Sequence, residues 1–98
     1  MRIIAHKTLV QFYLEHSEAK TAIEHWYKKC LKAEWNQFSD IKDTFHATDA
    51  IGNRRYVFNI HGNDYRLVAM VLFKLKRVYI RFIGTHQAYE KIEDISNI

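Results

Sequence analysis

Arg66, Arg81, His86 and Tyr89 are the residues of this chain whose types and order could do chemistry together, with Arg55, Asn59 and Lys91 close behind. The chemistry they suit is metal-free cleavage of RNA. A general base must take the proton of a ribose 2′-hydroxyl so that it attacks the adjacent phosphate, an acid must protonate the leaving oxygen, and cations must hold the extra negative charge. Histidine serves as base or acid near neutral pH, arginine as a fixed cationic clamp, and tyrosine stacks on a base or hydrogen-bonds to phosphate. The plainer alternative is that His86 caps a helix and Tyr89 packs against a sheet, and residue types alone favour it.

Other chemistries find less support. The six histidines, His6, His16, His25, His46, His61 and His86, are never three or four apart and none pairs with a cysteine, so a metal site would need unrelated segments to converge. The expectation is a site without metal or other cofactor. Three scattered glycines cannot build a phosphate-cradling loop, and Ser17, Ser39 and Ser96 have no nucleophile-elbow context. Cys30, the single cysteine, excludes an internal disulfide and reads as buried filler on a helix, four residues after Trp26.

The elements that must position the candidate residues lie between Arg54 and Lys91, which read as three strands running into a short helix. Alternation of side chains carries the strand assignment. A tight turn at Gly62-Asn63 places Ile60 opposite Tyr65 and Asn59 opposite Arg66. A second turn near Leu75-Lys76, lacking Gly or Asn, would place Lys74 opposite Arg77 and Met70 opposite Arg81. One face then collects Tyr56, Phe58, Ile60, Tyr65, Leu67, Ala69, Val71, Phe73, Val78, Ile80 and Phe82, with no charge among them. The opposite face carries Arg55, Asn59, Arg66, Lys74, Arg77, Arg81 and Thr85 among Val57, Val68, Met70, Leu72, Tyr79 and Ile83. Arg55, Met70 and Arg81 share one rung, and Asn59, Arg66 and Thr85 another, about 13 Å away. Like charges so grouped repel unless an anion sits over them, although a solvated sheet face is an equally good account.

Around this hairpin array, Met1–Ala5 suits an edge strand of the same sheet. Lys7–His16 and Glu18 to about Glu34 read as helices, Ser17 offering a cap between them and Ala19, Ala22, Ile23, Trp26, Tyr27, Cys30 and Leu31 forming an apolar stripe. Ser39-Asp40 can cap one helical turn through Phe45, and Thr48–Asn53 reads as a loop. Gln87 to about Asp94 resumes helical spacing, with Thr85 as its cap.

The chain's 98 residues and 48% hydrophobic content fit one folded domain. The net charge of +4 lies wholly in the second half: residues 1–53 hold seven Lys/Arg against seven Asp/Glu, and 54–98 hold eight against four. That asymmetry favours a polyanionic partner such as RNA, DNA or an acidic protein segment. No apolar run approaches membrane-helix length and MRIIAHK lacks a signal-peptide core, so the expected location is cytoplasmic, with no membrane partner.

The runs YVFNIHGNDYRLVAMVLF and VYIRFIGTHQAYEKI, with the start MRIIAHKTL, resemble HigB-like toxins of bacterial type II toxin–antitoxin modules, a branch of the RelE-like fold. The specific motifs are a strand ending in IR followed by GTH and YxKI, and FNI-G-N-YRL in the preceding hairpin. The resemblance implies a small α/β (α+β) toxin with a mainly antiparallel sheet, two N-terminal helices on one face and a short C-terminal helix. It further implies a metal-independent endoribonuclease, an mRNA interferase cutting mRNA on the translating ribosome. A HigA-like helix-turn-helix antitoxin would neutralise it, with operator DNA met only through that antitoxin. By motif, Arg66 and Arg81 would be phosphate-binding cations, His86 a catalytic or positioning residue, and Tyr89 a stacking or proton-transferring aromatic. Asn59 and Asn63 fall on recurrent hairpin positions, and Arg54, Arg55, Lys74, Lys76, Arg77 and Lys91 would complete the RNA-binding surface. Lysine serves as base in some RelE-like toxins, and Lys74, Lys76 and Lys91 are the lysines available here. Glu90 stands where relatives often have Asp. The alternatives are a non-enzymatic RNA- or ribosome-binding module using the same face, and an inactive partner that holds an antitoxin.

Overall fold

A computed structural model describes residues 1–98. Its centre is a five-stranded sheet of order β1-β5-β4-β3-β2, built from β1 (Arg2–Ile4), β2 (Thr48–Gly52), β3 (Arg55–Ile60), β4 (Tyr65–Leu72) and β5 (Arg77–Thr85). Every neighbouring pair is antiparallel except β1 with β5, which is parallel. The first strand thus lies beside the last.

Helices α1 (His6–Glu15) and α2 (Lys20–Lys32) pack on one face of this sheet, joined by a 3₁₀ turn at Ser17–Ala19. Spacing explains their seating: α2 buries Ile23, Trp26 and Cys30, which fall on one side at 3.6 residues per turn. Trp26 meets Phe58 edge-on at 5.2 Å, and Phe45 and Trp35 close the group around the same ring. Burial pushes the Cys30 thiol up, which keeps it an unreactive core group. Ser17 provides no side-chain cap, because the 3₁₀ turn already continues the chain from α1 into α2.

Helix α3 (Phe38–Thr44) covers the expected single turn, but the capping differs: Asp40 accepts from the Asn36 backbone N–H at 2.8 Å, and Ser39 takes no part. The stretch Thr48–Asn53, expected as a loop, contains strand β2. Its alternation is hidden because β2 is an edge strand, with Asp49, Ala50 and Gly52 exposed and only Thr48 buried.

The first hairpin has the expected register, Ile60 opposite Tyr65 and Asn59 opposite Arg66. The second does not. Its loop is Phe73–Lys76, with Lys76 at φ +55, so Arg77 faces Leu72 rather than Lys74, and Met70 faces Tyr79 rather than Arg81. A β-bulge then adds a residue: Val68 pairs with Phe82 and Ala69 with Ile80, leaving Arg81 unopposed. Beyond the bulge the sides exchange. Phe82 moves to the face away from the helices, Ile83 moves to the core, and Gly84 replaces Thr85 opposite Arg66.

Helix α4 (His86–Glu90) is shorter than expected, and a 3₁₀ turn at Ile95–Asn97 follows it. Thr85 caps α4 as its position suggested, its Oγ1 accepting from the Ala88 N–H at 3.1 Å.

Candidate RNA-binding face

The sheet face opposite the helices is ordered in rungs. Asn59, Arg66 and Gly84 form the rung at the hairpin end, then Val57, Val68 and Phe82, then Arg55, Met70 and Tyr79, with bulged Arg81 leaving β5 between the last two. This face is not open. Val57 is 4% and Val68 0% exposed, and the chain after Thr85 packs along the sheet, first against β4 and β5 and then, at Ile95–Asn97, against β2. It begins at the hairpin end, where the His86 N–H donates to the Asp64 carbonyl at 3.1 Å, and reaches the other end at Ile98.

Arg55 and Arg81 meet there. Arg55 Nε and Nη2 donate to the Ile98 carbonyl oxygen at 3.1 and 2.7 Å, and Arg81 Nε donates to the same oxygen at 3.0 Å. The bulge makes this possible, since it turns Arg81 outward beside Arg55 although the two share no rung. Two fixed positive charges converging on one acceptor describe a seat for an anionic oxygen.

At the hairpin end, Arg66 Nη1 donates to the Asn63 carbonyl at 3.1 Å, and Asn59 Nδ2 donates to Asn63 Oδ1 at 3.2 Å. The expected recurrence of Asn59 and Asn63 thus has a structural content: they shape the turn on which Arg66 rests. His86 lies beside this turn, its Nε2 2.7 Å from Glu90 Oε1 one helical turn on. The carboxylate thus faces Nε2 of the ring rather than Nδ1. Tyr89 lies against Phe82, ring centroids 6.4 Å apart at 50°. The Phe82 ring in turn covers Gly84, where a Cβ would stand 2.5 Å from Phe82 Cζ.

Arg66, His86 and Tyr89 therefore gather at one end, and Arg81 with Arg55 at the other, with Phe82 between. Other expected RNA-binding residues lie elsewhere. Lys76 Nζ donates to the Trp35 carbonyl at 2.8 Å and to Asn36 Oδ1 at 2.5 Å, tying the Phe73–Lys76 loop to the helical layer, where it cannot reach the face. Arg54 and Lys74 border a separate cleft with Leu72, Phe73 and Leu75, because the altered second turn swings Lys74 off the strand. Arg77 sits at the far end of β5, opposite Leu72 and paired with Arg2 of β1. Lys91 is exposed just past α4.

Sequence reasoning missed Phe82, Gly84 and Glu90 as parts of the face. A glycine inside a strand, which marks a bulge or a close approach, was the available signal for the first two. The histidines are engaged separately: His6 with Glu24 at 2.9 Å, His16 with the Phe12 carbonyl at 3.2 Å and His61 with Asp64 at 2.8 Å.

Comparison with known proteins places this architecture. Residues 19–92 match the HigB toxin family, described as the RelE-like toxic component of a toxin–antitoxin system. The chain belongs to the HigB toxin family. An mRNA interferase toxin HigB of Escherichia coli K12 is 30% identical over 92 residues, covering 92% of this chain and 88% of that protein. An mRNA interferase HigB of Shigella flexneri has the same identity and coverage, and one of Escherichia coli O6:H1 is 22% identical over 94 residues, covering 94% and 91%. The five-stranded, mostly antiparallel sheet with its helical layer is consistent with a RelE-like α+β fold. As the toxic component of such a system, a HigB toxin has an antitoxin as partner. No helix is long and apolar enough to cross a membrane.

Proposed function

We propose that this HigB-family toxin is a metal-independent endoribonuclease that cleaves mRNA on the translating ribosome. The observation that carries the reading is the convergence of Arg55 and Arg81 on one oxygen, on the same sheet face as Arg66 and the His86 helix start. The names of the HigB relatives, mRNA interferases, support the substrate class.

In this reading the ribose 2′-oxygen attacks the adjacent phosphorus, its proton passing to a base as the bond to the 5′-oxygen breaks and an acid protonates that oxygen. His86 Nδ1 is the candidate base, because Glu90 holds the ring through Nε2. Arg81, with Arg66, neutralises the phosphate, and Arg55 belongs to the same clamp. Tyr89, on its Phe82 platform, stacks on a base or delivers the proton to the leaving oxygen. Asn59 and Asn63 hold the turn beneath Arg66, and Lys91 and Arg77 lie at the margins of the RNA path. A site built of so few groups gains most from a substrate already positioned, which is what the decoding ribosome would supply. A HigA-like helix-turn-helix antitoxin would neutralise the toxin and link it to operator DNA, and the protein would act in the cytoplasm.

The test is primer-extension mapping of mRNA ends in a translating extract, with the wild type beside His86→Ala and Arg81→Ala. New ends at codons, absent from both variants and from ribosome-free reactions, are expected. A folded wild type that binds ribosomes yet produces no new ends would leave a non-enzymatic RNA- or ribosome-binding module.

A further inference from the structure

The group held by Arg55 and Arg81 comes from the chain itself. Ile98 presents one backbone oxygen to two guanidinium groups through three N–H donors. A phosphodiester oxygen would call on the same three donors, pairing with both guanidinium groups as a charged partner. The segment that delivers Ile98 is tied to the sheet by few side-chain hydrogen bonds. Asn53 Nδ2 donates to the Ser96 carbonyl at 3.0 Å and to Asn97 Oδ1 at 2.8 Å, both bonds exposed to solvent. Asp94 turns the chain at φ +54, and Asn97 closes that turn on the Asp94 carboxylate at 2.7 Å. The polar anchors of the segment are thus mostly peripheral, while Ile95 and Ile98 are half-buried.

We infer that Asp94–Ile98 is a displaceable internal occupant of the Arg55–Arg81 seat, which an RNA phosphate must evict to bind there. The inference rests on reading this face as the RNA site, and it adds a competitor to that site. Its energetic consequence is a lowered apparent affinity: only the fraction of molecules with the seat vacated can take the phosphate. Releasing the segment raises that fraction, whereas removing either arginine abolishes the seat.

The experiment is an NMR titration of the full chain with a 2′-O-methyl RNA trinucleotide, which cannot be cleaved, and separately with inorganic phosphate. It is run on the wild type and on Asn53→Ala/Asn97→Ala, which leaves both arginines in place. The Ser96–Ile98 amide signals are expected to move in step with the Arg55 and Arg81 Nε–H signals, and the double variant to bind roughly three- to tenfold more tightly. The inference is overturned if the arginine signals move while those of Ser96–Ile98 stay fixed, or if the trinucleotide shifts Arg66 and His86 but neither Arg55 nor Arg81. A folded double variant with wild-type affinity also overturns it, and the wild-type titration decides alone if that variant does not fold. Because no cleavage is read, eviction of the segment without mRNA cleavage would count against the nuclease reading only, and cleavage without eviction against this inference only.

Discussion

The two ends of the candidate RNA-binding face hold their arginines by opposite means. Arg66 is fixed by its own hairpin, resting on the Asn63 carbonyl three residues away, whereas Arg55 and Arg81 are fixed by an acceptor 43 and 17 residues distant in sequence. The first end is a local device, complete once two strands and a turn have formed. The second exists only when β3, the β5 bulge and the last residues of the chain are all in place. A cation held locally is ready for substrate as it stands, while one held by a remote segment can be switched by whatever moves that segment.

Replacing Arg81 should have the largest effect, because it removes half of the convergent pair. Arg81→Ala is expected to lower mRNA cleavage by about 10²- to 10³-fold, the range for a lost charge-stabilising donor, with unfolding midpoints near those of the wild type. Equal cleavage by wild type and variant would place the chemistry wholly at the hairpin end. His86→Ala should cost roughly 10²-fold or more if Nδ1 is the base, while Glu90→Ala should cost less, since it frees the ring without removing it. Cleavage rates of the two variants in one extract test that order.

Gly84→Ala probes the platform between the ends. Its Cβ would collide with the Phe82 ring, and the ring's displacement would carry Tyr89 with it. We expect a destabilisation of about 1–3 kcal/mol by urea unfolding, as for other overpacked sites, and cleavage reduced less than in Arg81→Ala. Wild-type stability and activity would mean that the ring has room to turn aside.

The smallest expected effect concerns how the hairpin end is attached to the helices. The Tyr65 hydroxyl donates to Glu18, a bond that pushes the tyrosine up to about 12 and holds the Glu18 carboxyl below its ordinary 4.5. Glu18 has a lowered folded value, so its contribution is present above the unfolded value and fades as pH falls through the folded one. Tyr65, raised when folded, contributes fully below about 10 and loses that contribution as pH rises towards 12. Tyr65→Phe should therefore be less stable than wild type at pH 7, with the gap narrowing in acid. A gap that persists unchanged at pH 3 would assign it to packing instead.

Local patterns in the sequence carried much of this architecture. The apolar stripe of α2, the Gly62-Asn63 turn and the Thr85 cap each depend on neighbours a few residues apart, and each is where spacing indicated. What spacing could not reveal depends on partners far away. Strand β2 is exposed along most of its length and is a strand only because β3 accepts it. The bulge at Arg81 follows from the fit of β5 against β4, and it moved Phe82 to the outer face and took Arg81 off the rung it was expected to share with Arg55 and Met70. Lys76 looked like a surface cation until the Trp35 carbonyl came within its reach. The chemistry-bearing residues and their division between two ends of the sheet were therefore legible, while the bulge and the covering segment were not.

The parallel pairing of β1 with β5 bears on how the protein is made. Arg2–Ile4 is synthesised well before Arg77–Thr85 and has no strand to join until then, and β4 must wait for the same strand to cover its free edge. A nascent chain carries Arg55 and Arg66 long before it carries Arg81, His86 or Tyr89. On the proposed reading, the cationic clamp and the candidate base come together only after β5 and the start of α4 have followed β3 and β4 out of the ribosome.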